Sequence, residues 1–390
     1  MQRPLRILPT IVLAQFCCTS LWFAGNGIMD ELLGVFQLPE TALAHLTAAV
    51  QFGFILGTLV FAILSIADRF SPSRVFLVCA LLGALFNLGV VWEQNSLSSL
   101  LFLRAGTGFF LAGIYPIGMK IAADYYDKGL GKSLGLLVGA LVLGTAFPHL
   151  LKLLTASFPW KSVVYGTSTL AALGGILMAI LVPDGPFRKA AQQFQLSAFI
   201  KVFAHRPFRA AAIGYFGHMW ELYTFWAFTP LILLTYQQLH PSVEINIPLW
   251  SFLIIGVGSI ACAVGGYVSL HFGPKPIATL ALSISGICCL LSPAFFLIPS
   301  PALFLAFLLI WGIFVIMDSP LFSTLVAQNA AQEIKGTALT IVNCIGFFLT
   351  ILSIQLIGWM QGIVGTTWVY MLLAVGPVLG IWSLRGNIKT

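Results

Sequence analysis

Long apolar runs, interrupted by short polar or Pro/Gly-containing links, fill this chain from end to end. Each run is about twenty residues long, enough for a helix rising about 1.5 Å per residue to cross a hydrocarbon core of about 30 Å. The pattern predicts twelve membrane-spanning helices, at about 7–28, 42–64, 74–93, 97–119, 133–153, 162–182, 210–234, 247–269, 276–298, 301–324, 337–358 and 367–384. Links such as Glu93–Ser99 and Leu297–Ala302 separate them.

Composition agrees with a lipid environment. Hydrophobic types make up 59% of the residues and charged types 8%, against about 25% charged in soluble domains. A soluble protein with a large core is excluded on that ground. The run near Ile7–Phe23 lacks a small-residue cleavage site and leads into further spans, so it reads as a first span and not a removable leader.

The net charge of +7 changes meaning once it is placed along the chain. With both ends in the cytoplasm, sixteen of the 19 Lys and Arg residues fall on the cytoplasmic side, from Arg3 and Arg6 through Arg69, Arg74, Lys120 and the 183–209 link to Lys275, Lys335, Arg385 and Lys389. Only Lys152 and Lys161 fall outside, and Arg104 lies within a span. That bias follows the positive-inside rule. It predicts a multi-pass protein of the bacterial inner membrane and explains the basic balance without a nucleic-acid partner.

The longest link, 183–209, divides the chain into a bundle at 1–182 and a bundle at 210–390. Phe199, Val202 and Phe203 have the spacing of a short helix on the membrane surface, although a plain tether fits as well. The halves are weakly self-similar at an offset of 202 to 205 residues. Asp68 falls opposite Leu270, Pro72 opposite Pro274, Pro116 opposite Pro320 and Gly131 opposite Gly336. The predicted fold is all-α: twelve transmembrane helices in two pseudo-symmetric six-helix bundles.

Two six-span halves joined by a basic link, with Asp68–Arg69 after span 2, resemble the major facilitator superfamily. The family's loop pattern Gly-x-x-x-Asp-Arg-x-Gly-Arg-Arg is kept at Asp68 and Arg69. Leu64 and Ser71 replace its glycines, Pro72 and Ser73 its basic residues, and Arg74 comes one place late. The second-half copy keeps Gly266, Gly273 and Lys275 without the Asp. Arg104 to Gly108 looks like the family's Arg-x-x-x-Gly motif, whereas Gly135, Gly139, Gly144 and Pro148 lack the spacing of its span-5 antiporter motif. The resemblance implies alternating access, a cavity lined by spans 1, 4, 7 and 10, and gating at Asp68 and Arg69.

Three ionisable residues lie at bilayer depth, where they persist mainly when they face a cavity or a partner: Arg104 in span 4, Glu221 in span 7 and Asp318 in span 10. All three fall within the spans that the resemblance assigns to the cavity. Counted along the helices, Arg104 lies about 6 Å outward of Glu221 and Asp318 about 7 Å inward. Arg104 is expected to bind an anionic group or organise a carboxylate, Glu221 to take up and release a proton, and Asp318 to be a second proton or substrate site. A structural Arg104–Glu221 salt bridge is the alternative. His218 shares a helix face with Glu221, and Trp220, Tyr223 and Trp226 surround them, which suits a ligand pocket or a proton relay, although Trp226 fits packing against a neighbouring helix better and a structural histidine fits His218 as well. Asn26, Gln51 and Asn343 are further candidates for substrate contacts, with interhelical hydrogen bonding as the plainer role.

No cofactor or metal site is expected. The seven cysteines lie in apolar runs without a Cys-x-x-Cys pair, and the histidines are scattered. Gly129–Gly135 imitates a phosphate loop, but Tyr126 stands where its first glycine belongs and no strand precedes it. The reading is a monomeric, proton-coupled secondary transporter of a small, anionic organic solute, and not an enzyme. A drug or metabolite exporter driven by proton antiport is the alternative.

Overall fold

The computed structural model describes residues 6–126, 130–188, 203–331 and 335–385, with backbone alone at 130–132. The proposed surface helix near Phe199 and Val202 lies outside the described residues. The chain divides into two compact units, Met1–Phe194 (the N unit) and Gln195–Thr390 (the C unit). Among the described residues all regular structure is helical.

In the N unit the helices are α1 (Ile7–Thr19), α2 (Met29–Val35), α3 (Ala42–Ile63), α4 (Ile66–Arg69), α5 (Pro72–Leu88), α6 (Leu97–Leu111), α7 (Tyr115–Tyr125), α8 (Leu130–Leu154) and α9 (Lys161–Leu181). The C unit follows with α10 (Arg206–Leu239), α11 (Ile247–Phe272), α12 (Pro274–Leu297), α13 (Pro301–Met317), α14 (Ser319–Asn329), α15 (Lys335–Val364) and α16 (Val375–Leu384), the last preceded by a 3-10 helix at Val369–Ala374.

Nine helical segments among the described residues are long and apolar enough to cross a membrane. The other three predicted spans depart from that standard for visible reasons. Span 1 stops being α-helical at Thr19 and continues through turns and a 3-10 segment, Asn26–Ile28. Span 7 is a 34-residue helix whose middle carries His218 and Glu221. Span 12 splits into the 3-10 segment and α16.

Proline explains the matching breaks in spans 4 and 10. Pro116 and Pro320 each remove a backbone donor and crowd the carbonyl four residues back. The helix breaks at Ala112–Ile114 in one half and at Asp318 in the other. The thiol of Cys262 lies 3.5 Å from the Ile316 carbonyl that Pro320 leaves without its usual donor.

The repeat is legible in the packing. A Cβ added at Gly108 would meet the carbonyl oxygen of Val50; one added at Gly312, 204 residues on, would meet that of Ile254, also 204 residues on. In both units the span-2 and span-4 equivalents pack backbone against backbone, as small-residue membrane interfaces do. Gly273 ends α11 at φ +83°, which glycine tolerates without strain.

Membrane-end contacts fasten the N unit. Asp68 Oδ1 lies 2.9 Å from Lys120 Nζ. Arg188 donates to the carbonyls of Asp68 and Phe70, both at 2.7 Å, and pairs with Asp184 at 2.9 Å. The first residues of the 183–209 link are thereby tied to the N unit, and the last are already α10. At the opposite end Lys152 pairs with Glu31 at 3.0 Å and Lys161 with Glu93 at 2.6 Å.

Candidate functional site

Arg104 is 2% exposed. Its guanidinium donates to the carbonyl of Trp22 at 2.5 Å, to the carbonyl of Leu21 at 3.3 Å and to Asn87 Oδ1 at 3.4 Å. Leu21 and Trp22 lie in the stretch where span 1 has left the α-helical pattern. A broken helix presents carbonyls that its own turns no longer satisfy, and Arg104 supplies donors to two of them. Asn87 is itself held by Thr167 and Ser168 of α9. Gly25 permits the close approach: a Cβ there would stand 3.3 Å from Arg104 Nε.

Asn26 follows the same break. Its Nδ2 donates to Thr47 Oγ1 at 2.8 Å, and that hydroxyl donates to the Leu43 carbonyl. Gln51, one turn along α3 from Thr47, is fully buried, and neither its Nε2 nor its Oε1 has a hydrogen-bond partner.

In the C unit Glu221 is 1% exposed, and both carboxylate oxygens accept hydrogen bonds. Trp311 Nε1 donates to Oε1 at 2.6 Å, the Cys289 thiol to Oε1 at 3.3 Å and Ser285 Oγ to Oε2 at 2.9 Å. Glu221 on α10 therefore ties α12 and α13 together. The sequence singled out none of its three partners. The i, i+4 spacing of Ser285 and Cys289 on span 9 was the available signal.

His218 and Asp318 form a separate centre. His218 Nδ1 stands 2.7 Å from Asp318 Oδ1, and both side chains are essentially inaccessible. His218 Nε2 and Asp318 Oδ2 have no hydrogen-bond partner. The rings of Tyr215 and Phe322 flank the imidazole, each 6.1 Å away. His218 thus faces Asp318 of span 10, while Glu221, one turn along the same helix, is held by other side chains.

The remaining candidates are spread over the unit. Trp220 donates to the Leu372 carbonyl at 3.3 Å. Tyr223 packs on Trp226 and Phe347, with centroids 5.4 and 5.2 Å away. Asn343 accepts from the Tyr215 hydroxyl at 2.9 Å. In the N unit, Asp68 belongs to the Lys120 pair described above, and Arg69 is exposed. The sequence missed Lys120 and Arg188, which stand beside Asp68. No group of His, Cys, Asp and Glu suited to a metal ion occurs among the described residues.

The chain is similar in fold to several solved transporters. A bacterial homolog of the human lysosomal transporter Spinster, in an inward-facing and unoccupied conformation, superposes with TM-score 0.73 at 14% identity, covering 99% of this chain and 98% of that one. The proton:xylose symporter XylE, bound to 6-bromo-6-deoxy-D-glucose, gives 0.76 at 13% identity, covering 98% and 96%. The nucleoside transporter NupG, in a point-mutant form, gives 0.72 at 14%, covering 97% and 98%. No curated protein sequence matches the chain. The Major Facilitator Superfamily model matches residues 11–354. With that match over most of its length, the chain belongs to the major facilitator superfamily, and it is a multi-pass membrane transporter.

Proposed function

We propose that this protein is a proton-coupled secondary active transporter of a small organic solute, working by alternating access, with Asp318 and His218 handling the proton. It would act as a monomer in the bacterial inner membrane with both termini cytoplasmic, as its basic residues are distributed.

The observation that carries the proposal is the contrast between two buried acids of the C unit, Glu221 on α10 and Asp318 at the break between α13 and α14. Glu221 has a donor on each oxygen and serves packing. Asp318 has one oxygen against His218 and the other without a partner, inside a span where an ionised group is costly. A proton shared between carboxylate and imidazole lowers that cost and can leave when the surroundings change. Cys262 of α11 also stands beside this break, with its thiol directed to the Ile316 carbonyl.

The expectation of an anionic solute rested on Arg104 and the basic cytoplasmic loops. Its donors are directed to the carbonyls of span 1, so the guanidinium reads better as a clasp on the break than as an anion receptor, and the proposal sets the anionic preference aside.

The test uses proteoliposomes loaded with a pH-sensitive dye and the solute selected by ligand stabilisation of the purified protein. Asp318→Asn is expected to abolish solute-induced proton movement while solute exchange at equal pH continues. Proton movement that persists at the wild-type rate in Asp318→Asn removes Asp318 from coupling.

A further inference from the structure

One face of α3 carries Thr47, Gln51, Phe54 and Thr58, spaced as a continuous stripe along a helix. Thr47 is engaged by Asn26 at 2.8 Å. Phe54 packs against Trp22, with ring centroids 4.8 Å apart. Between them stands Gln51, fully buried, with neither amide atom hydrogen-bonded; Thr58, one turn beyond Phe54, also has a buried hydroxyl without a partner. Three groups in hydrocarbon surroundings therefore lack what they need: an amide NH2 with two donors, a carbonyl acceptor and a hydroxyl.

Glutamine inside a membrane protein ordinarily pairs across helices. Buried polar groups are nearly always satisfied, so an exception calls for a reason. Helix packing does not require the amide here. Span 2 meets span 4 through Gly53, Gly57 and the carbonyl of Val50, and a leucine at 51 would fill a comparable volume. The segment of span 1 opposite the stripe has already left the helical pattern, with Trp22 on Phe54 and Asn26 on Thr47, the residues that flank Gln51 in the stripe.

We infer that Gln51 is the recognition residue for an uncharged part of the transported solute, one presenting a hydrogen-bond donor and acceptor side by side. Adjacent hydroxyls and a primary amide edge share that chemistry. The amide of Gln51 pairs with both atoms, Thr58 takes a further hydroxyl, and the tilted Trp22–Phe54 pair supplies an apolar contact. A carboxylate would leave the amide N–H met and the carbonyl opposed by a second acceptor. The inference rests on the transporter assignment and is independent of proton handling at Asp318.

Thermal unfolding of the purified full chain tests it, with no pH gradient applied. The probes are D-mannitol for hydroxyls, succinamide for amides, succinate as the anionic counterpart of succinamide, and tetraphenylphosphonium as an apolar cation. At least one uncharged probe is expected to raise Tm saturably, and which one does so identifies the group recognised. Succinate and tetraphenylphosphonium are expected to have no such effect. In Gln51→Leu the half-maximal concentration should rise at least about tenfold, while Tm without probe stays level or rises, because an unsatisfied amide has been removed. Gln51→Met serves if the leucine variant does not fold. Three results overturn the inference: no saturable response to either uncharged probe, an equal response in Gln51→Leu, or a loss of probe-free Tm that shows the amide to be helix-bridging. Loss of coupling in Asp318→Asn with this binding intact would leave it standing.

Discussion

In the N unit a buried arginine finds acceptors in the backbone of a span that has left the α-helical pattern, and in the C unit a buried glutamate finds its donors in side chains of α12 and α13. Arg104 reaches the Leu21 and Trp22 carbonyls; Glu221 is reached by Trp311, Ser285 and Cys289. The positions are not repeat-equivalent, since 204 residues beyond Arg104 stands Leu308. The backbone contacts between the span-2 and span-4 equivalents are retained in both units, at Gly108 with Val50 and at Gly312 with Ile254. The scaffold has kept its symmetry where backbones touch and lost it where charges are buried. The difference suits division of labour: a unit whose span 1 leaves the α-helical pattern offers peptide and amide groups, and a unit whose span 10 breaks at Asp318 offers a place for a proton.

The comparison makes the C unit the more brittle. Glu221→Ala leaves the Trp311 indole N–H buried without an acceptor, at about 1–3 kcal/mol, while the Ser285 hydroxyl can still donate to the Leu282 carbonyl 3.2 Å away. With the cavity left by the side chain added, the expected loss is on the order of 3–5 kcal/mol, read as a large drop in Tm or failure to accumulate in the membrane. Glu221→Gln retains an acceptor oxygen for Trp311 and should lose about 1 kcal/mol. If Glu221→Gln keeps its Tm and yet stops proton movement, the packing role is wrong and Glu221 returns as a coupling group.

The N-unit clasp should weigh less, because one side of the contact is backbone that can relax. Arg104→Lys replaces a planar guanidinium, able to address two carbonyls at once, by a single ammonium. The expected cost is about 1.5–2 kcal/mol, the worth of a hydrogen bond to a charged group. It should show as faster hydrogen exchange confined to residues 20–26. Uniform acceleration over the N unit would mean that Arg104 supports the whole bundle and not the break.

How much of this was legible beforehand follows from what each feature depends on. The spans were visible because lipid demands about twenty apolar residues at a stretch; the breaks were not, since Pro116 and Pro320 stand at them while Pro148 and Pro230 lie inside continuous helices. Arg104, Glu221 and Asp318 stood out for the same reason: a charge in such a run is conspicuous. Their partners were not legible. Carbonyl acceptors carry no sequence signal, and Ser285, Cys289 and Trp311 are ordinary residues of apolar helices. His218 was grouped with Glu221 by helical spacing, which reports a shared face but not which neighbour that face meets. Gln51 was visible as a polar residue, but its lack of a partner is a property of the packed chain alone.

The smallest effect expected lies at the solvent-facing end of the N unit, where neither a broken helix nor a packed core holds the charge. Glu93 accepts from Lys161 Nζ at 2.6 Å, and that hydrogen bond, with the attraction of the ammonium, holds its carboxyl below the usual carboxylate range. A depressed acid contributes stability above its unfolded value, near 4.5, and loses it as pH falls through the folded value. The carboxylate is largely exposed, so water and salt screen the pair. Glu93→Gln should leave Tm at pH 7 within measurement error and flatten only the acid limb of a Tm-against-pH curve below about pH 4.5. A clear drop at neutral pH would show that a charge at the membrane surface is held as firmly as the buried ones, and the contrast drawn between exposed and buried charges in this protein would fail at its weakest member.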